Sequence, residues 1–330
     1  MPPHWPEGGV DKEAYTGNEK LHYVIGRVFY WKKIVHFYLN IGEIVKKVNP
    51  DIIHIEEEPF DFACFQFVSE AKKRGKKSLF FTWENLRRGH NPVYTYFNNH
   101  CLLNADAAIA GNREAGEILL EKNFKKPVQV IPQYGINPED FKAKKSRRNT
   151  GVFNAAFMGR LIAEKGLAHL VSACAILPNI TLHLAGTGNM ENVLHGMVKH
   201  FKLEDRVKFY GHVERQAVPD FLANMDCLVL PSITTGGWKE QFGRVIIEAF
   251  AAGVPVIGSD SGEIPNVVGK AGLIFKESNT QDLAGQIKKL SEDKALYKDL
   301  QAKGLERVRQ NYTNEIIAEK INNVYKSLLG

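Results

Sequence analysis

The chain has 330 residues, 44% of them hydrophobic and 24% charged, which is enough for two domains of ordinary size that each bury a core. No run of 18 or more apolar residues occurs, and no charged segment leads into an apolar stretch and a small-residue cleavage site, so neither a spanning helix nor a signal peptide is indicated and the expected location is cytoplasmic. The formal charge of +6 is modest, and Cys64, Cys101, Cys174 and Cys227 are scattered without CxxC spacing, which reads as buried thiols rather than a disulfide or zinc framework.

The predicted elements alternate. Pro2, Pro3, Pro6, Gly8 and Gly9 form an irregular leader, followed by a strand over Leu21 to Phe29 and a helix over Lys33 to Val48. A strand over Asp51 to Glu56, a helix over Asp61 to Arg74 and a strand over Ser78 to Thr82 come next. Trp83-Glu84-Asn85 then opens either a loop or a helix, before a strand over Ala105 to Ala110, a helix over Arg113 to Lys122 and a strand over Val128 to Pro132. The basic, polar stretch Lys142 to Thr150 reads as a linker. Beyond it, strands are expected over Phe153 to Met158, Thr181 to Ala185, Val207 to Tyr210, Cys227 to Leu230 and Val254 to Gly258. Helices fill the gaps, two more lie between Asp282 and Gln310, and a terminal helix covers Asn314 to Leu328. This alternation argues for an α/β fold of two Rossmann-like domains facing a cleft: an N-terminal domain over residues 1–142, a C-terminal domain over 143–312, and a helix over 313–330 packing back on the first.

Basic clusters at Lys32-Lys33, Lys72-Lys73-Arg74, Lys76-Lys77, Lys125-Lys126 and Lys142 to Arg148 read as solvated faces, with attraction to anionic lipid as the alternative. No RNA-binding aromatic motif or zinc-finger spacing accompanies them, so nucleic acid is not an expected partner. Over Tyr23 to Val48, aromatic residues mixed with lysines suit a helix packed on a sheet; peripheral membrane contact is the competing reading.

The segment from Glu240 to Ile257 concentrates the chemistry. A loop ending at Gly243 opens a helix whose first-turn N–H groups can receive an anion, and Gly253 ends that helix before an apolar strand. Glu240 precedes the helix and Glu248 lies about one and a half turns inside it. Carboxylates accept from vicinal hydroxyls but suit phosphate poorly, so the combination fits a nucleotide-sugar; an ordinary βαβ crossover with two solvated glutamates is the plainer alternative. Gly159-Arg160 follows a strand and Lys165-Gly166 opens the next helix, placing two cations at one strand end, as a ligand site or as surface charges by a turn. In Gly186-Thr187-Gly188 the third glycine of a dinucleotide fingerprint is replaced by Glu191, which argues against NAD.

Glu240 to Val268, together with Phe157 to Gly166, His183 to Gly188 and Gly211-His212-Val213, resembles the donor-site signature of the retaining GT-B glycosyltransferases of family 4, also called group 1; the likeness is good over residues 128–315 and loose before. It implies a metal-independent hexosyltransferase that moves sugar from a nucleoside-diphosphate sugar, with UDP or GDP as the nucleotide, to a glycan or lipid-linked acceptor at the inner membrane face. No cofactor is implied, and the sequence has no Asp-x-Asp pair for a metal. The resemblance carries diphosphate binding to Arg160 and Lys165, donor sugar and phosphate contacts to Glu240, Phe242 and Gly243, the ribose to Glu248, and the base edge to Val213, with Gly159, Gly188 and Arg244 completing the donor pocket. The family opens on a strand and a glycine-rich loop that are expected to be missing here, with Gly8-Gly9 as a displaced version of that loop the alternative, and it often has a histidine after the fourth strand where this chain has Glu84 and Asn85 as candidate hydrogen-bond partners. A sugar-nucleotide epimerase, a phosphorylase and a non-catalytic nucleotide-sugar module remain the competing functions.

Overall fold

The computed structural model describes residue 24 and residues 26–31, 35–141 and 151–330. The leader, with Gly8-Gly9, and the linker segment 142–150 lie outside the described residues. Contacts divide the chain into two compact units, Met1–Ile131 with Ile321–Gly330, and Pro132–Lys320.

In the first unit, β1 (Val28–Trp31) and β2 (Val35–Tyr38) form an antiparallel hairpin ahead of α1 (Ile41–Val48). This corrects the helix expected from Lys33: a run rich in aromatic and β-branched residues pairs as strands, and helix begins only past Asn40. There follow β3 (Ile52–Ile55), α2 (Phe62–Lys73), β4 (Lys77–Thr82), α3 (Pro92–Asn104), β5 (Ala107–Ala110), α4 (Arg113–Glu121) and β6 (Val128–Val130). The last four strands make a parallel sheet in the order β3-β4-β5-β6. Its core packs Val68 of α2 and Leu119 of α4 around Ile53, Ile55, Phe80 and Ala108. Trp83-Glu84-Asn85 is a loop, because the helix after β4 waits for Asn91, whose side chain accepts from the amides of Val93 and Tyr94, and for Pro92 in the first turn.

The second unit contains β7 (Phe153–Met158), α5 (Leu167–Ile176), β8 (Ile180–Ala185), α6 (Glu191–His200), β9 (Val207–Gly211), α7 (Val218–Ala223), β10 (Cys227–Leu230), α8 (Arg244–Ala251), β11 (Val256–Ser259), α9 (Ile264–Val268), β12 (Gly272–Phe275), α10 (Thr280–Glu292) and α11 (Lys294–Asn311). The terminal helix α12 (Asn314–Leu329) closes the chain. Sequence reading omitted α9 and β12. Each is only four or five residues long, too short for an apolar period to register. All six strands are parallel, in the order β12-β11-β10-β7-β8-β9. Read from β9, that is the doubly wound 3-2-1-4-5-6 arrangement, and the chain reverses its direction of winding between β7 and β10. All four cysteines are buried free thiols. No helix among the described residues is long and apolar enough to cross a membrane.

Candidate functional site

In an open parallel sheet the winding reversal leaves a crevice beyond the carboxyl ends of the two central strands, because the helices depart to opposite faces there. The loops after β7 and β10 border that crevice, and they carry half of the predicted residues, Gly159, Arg160, Lys165, Glu240, Phe242 and Gly243. Gly159 and Arg160 follow β7 directly. Arg160 is exposed, and its guanidinium has no partner among the described residues. Five residues on, Lys165 ends a short 3-10 turn. Its Nζ lies 2.6 Å from Glu240 Oε2, and the two side chains are only 14% and 9% exposed. The same oxygen accepts a 2.8 Å hydrogen bond from Ser232 Oγ, and the ammonium sits 5.0 Å from the centre of the Trp238 ring. Arg160 and Lys165 therefore differ in kind: one cation is uncommitted, the other is already matched by a buried carboxylate.

The loops around this pair are tied together by their backbones. The amide of Ile233 donates to Glu164 O at 2.8 Å, joining the loop after β10 to the loop after β7. Glu263 N donates to Glu240 O at 3.1 Å, and Ser259 Oγ donates to Ser232 O at 2.5 Å, joining the end of β11 and the segment after it to the loop after β10. Lys165 and Glu240 thus meet on a scaffold that has little freedom to part.

Gly243 takes φ 76°, a left-handed conformation that a Cβ disfavours, and so turns the chain into α8. No side chain caps this helix start, and among its first amides Ile246 N returns to Gly243 O at 2.8 Å. The helix mouth is an anion-receptive end. Phe242 is buried, its ring 5.8 Å from that of Tyr312. Within α8, Arg244 Nε lies 3.0 Å from Glu248 Oε1, an ion pair one turn apart, and the guanidinium also covers the Tyr134 ring at 5.7 Å. Burial pushes the Glu248 carboxyl above its ordinary value, against the opposing pull of Arg244 and Arg215. Neither glutamate is the solvated residue of the plainer reading.

Gly188 serves a purpose that the sequence did not suggest. A Cβ there would stand 2.2 Å from Leu161 O, while Leu161 N donates to Thr187 O at 2.8 Å and Met190 N to Leu161 O at 2.9 Å. The glycine lets the loop after β8 lie flat on the loop after β7, so it shapes the wall of the crevice. Val213 is half-buried past the end of β9, and the His212 side chain is solvent-exposed beside Glu214.

Glu84 and Asn85 belong to the first unit and are buried. Glu84 is held by Lys122 Nζ and, at 2.9 Å, by His90 Nε2. A neighbour that sequence reading missed is Glu58, just past β3: Thr82 Oγ1 donates to its Oε2 at 2.5 Å and Trp83 N to its Oε1 at 2.8 Å. Burial raises the Glu58 carboxyl to about 7, with Glu84 adding to the rise. Asp61 is lifted to about 6, again mainly by burial. Position after a strand's carboxyl end was the signal available for Glu58 and Ser232. The described residues contain no group of three or more His, Cys, Asp or Glu side chains able to hold a metal ion.

Comparisons with known proteins agree with this architecture. The chain is 25% identical over 302 residues to the phosphatidylinositol N-acetylglucosaminyltransferase gpi3 subunit of Schizosaccharomyces pombe, covering 88% of this chain and 64% of that protein. It is 31% identical over 201 residues to a GDP-mannose-dependent monoacylated alpha-(1-6)-phosphatidylinositol monomannoside mannosyltransferase of Corynebacterium glutamicum, covering 58% of this chain and 52% of that one. The chain thus spans between half and two thirds of the length of these relatives. Anabaena HepE, solved in complex with UDP, superposes with a TM-score of 0.75 at 20% identity, over 88% of this chain and 82% of that one, which shows a shared fold. The profile of the glycosyl transferases group 1 matches residues 138–307, a little over half of the 330. The chain therefore belongs to the glycosyl transferases group 1, and its two Rossmann-like units are those of the GT-B fold.

Proposed function

We propose that this chain moves a hexose-type sugar from a nucleoside-diphosphate sugar to a glycan or lipid-linked acceptor, with retention of the anomeric configuration and without a divalent metal. The observation that carries the reading is the uncommitted guanidinium of Arg160 at the winding reversal, beside the anchored Lys165–Glu240 pair. When the bond between the anomeric carbon and the phosphate oxygen breaks, negative charge grows on the departing diphosphate, and fixed cations there lower the barrier more than they stabilise the bound donor. Arg160 takes that charge most directly, and Lys165, held in place by Glu240, adds to it from the same side. The mouth of α8 receives phosphate oxygens, Glu248 accepts from the ribose hydroxyls, and backbone near Val213 meets the base. The acceptor hydroxyl attacks from the face the diphosphate leaves. Its oxygen bonds to the anomeric carbon, and its proton passes to a phosphate oxygen of the leaving group, so no separate general base is required. The names of the fungal and corynebacterial relatives, which describe N-acetylglucosaminyl and GDP-mannose-dependent mannosyl transfer with phosphatidylinositol in both names, support a nucleotide-sugar donor and a lipid-linked acceptor.

A panel of UDP-, GDP- and ADP-sugars tests the assignment, since a ligand that binds only the folded state raises the melting temperature by mass action. One nucleotide class is expected to raise it, and Glu248→Ala to weaken that shift and increase donor KM. If no sugar nucleotide shifts the transition, the assignment fails.

A further inference from the structure

Between Ser232 and Glu240 the loop after β10 folds into a small hairpin with one aromatic residue at its foot. Thr235 N donates to Trp238 O at 2.8 Å and Trp238 N returns to Thr235 O at 3.4 Å, so Gly236-Gly237 is a two-residue turn. The hairpin starts from a fixed point. Thr234 N donates to Glu277 Oε2 at 2.6 Å, just past β12, and Thr234 Oγ1 lies 2.9 Å from Ser261 Oγ, just past β11. It ends on another, because Glu240, two residues beyond Trp238, is held by Ser232 and Lys165. The half-buried Trp238 is therefore fixed from both sides, and its ring has a defined place 5.0 Å from the Lys165 ammonium.

An ammonium carries three N–H donors. Glu240 Oε2 is the one hydrogen-bond acceptor of Lys165 Nζ among the described residues, and the lysine side chain is only 14% exposed. An indole attracts a cation through its electron-rich face and keeps water from it, yet it does not take up an N–H as an oxygen would. The ammonium is thus left with donors that neither water nor protein fully satisfies, and a charge-assisted bond to a phosphate oxygen gains most where water is scarce. Without the ring, the flexible four-carbon stem of the lysine could carry its charge toward solvent. We propose that Trp238 is a positioning residue for Lys165: it holds the ammonium, short of acceptors, ready for the terminal phosphate of a nucleoside diphosphate anchored at Arg160 and the mouth of α8. This role deepens the donor reading and rests on it.

Calorimetric titration of the full chain with UDP and UMP, and with GDP and GMP, tests the role without an acceptor, because the ratio of affinities within a pair isolates the terminal phosphate. Trp238→Leu is expected to lower that ratio by about three- to tenfold, and Trp238→Phe, which keeps an aromatic face, by less than about twofold. With four tryptophans in the chain, the wild-type emission less that of Trp238→Phe isolates residue 238, and the diphosphate is expected to change it where the monophosphate does not. Equal loss of affinity for both members of a pair, an unchanged ratio in Trp238→Leu, or the same loss in Trp238→Phe would each overturn the role. Should Trp238→Leu unfold, fluorescence decides alone, and an emission that the diphosphate leaves unchanged overturns it. Failure of every nucleotide to bind the wild type removes the donor assignment and this role with it, whereas binding with an unchanged ratio removes the role alone.

Discussion

The two units solve opposite problems on related sheets. In the second, loops after β7, β8, β10 and β11 are locked to one another by main-chain bonds and by glycines that admit close approach, so the crevice they border has fixed walls. In the first, the sheet has four parallel strands, and the prominent feature beside its carboxyl edge is a layer of half-buried aromatic rings around an open hollow. The difference teaches where rigidity is placed.

The sharpest way to break this contrast is Arg160→Ala. As the uncommitted cation, it is expected to lower kcat by about 100- to 1000-fold while changing the melting temperature little, read by steady-state kinetics alongside calorimetry. Equal losses in kcat and stability would mean that Arg160 is part of the scaffold. Next in size, Gly188→Ala drives a methyl into Leu161 O, and the wall of the crevice must shift, with a melting temperature lower by about 6 °C. Glu240→Ala leaves Lys165 poorly solvated and without its carboxylate; a loss of about 2 kcal/mol is expected in denaturant titrations, with Glu240→Gln retaining part of it through Ser232.

The smallest expected effect sharpens the other side. Glu58 has a folded-state value near 7, above that of a free carboxyl, so the folded protein holds a proton that the unfolded chain releases. Its contribution to stability is greatest at low pH and is lost as pH rises from about 4.5 through 7. Glu58→Gln, which keeps an acceptor for Trp83 N, should flatten that slope and raise the melting temperature at pH 8 by about 2 °C, measured across a pH series.

Much of the second unit was legible because its signals are local. Gly243 before an apolar helical period and Arg160 after a run of buried residues announce themselves within a few positions, and the strands from Phe153 to Gly258 fall within about two residues of expectation. The pairing of Lys165 with Glu240 was not legible, since the two lie 75 residues apart and meet only because β7 and β10 are neighbours in the sheet. The hairpin of β1 and β2 was misread for a similar reason. Aromatic residues from Phe29 to Tyr38 satisfy a helical stripe as readily as a strand, and cross-strand pairing decides between them.

The committed state of Lys165 has a consequence for discrimination. Glu240 acts as a built-in counter-ion, and any visitor must compete with it for the ammonium. A singly charged anion such as chloride or acetate gains little from displacing a buried carboxylate already supported by Ser232. The closed pair therefore reserves the ammonium, and leaves Arg160 and the mouth of α8 as the parts of the crevice open to an anion.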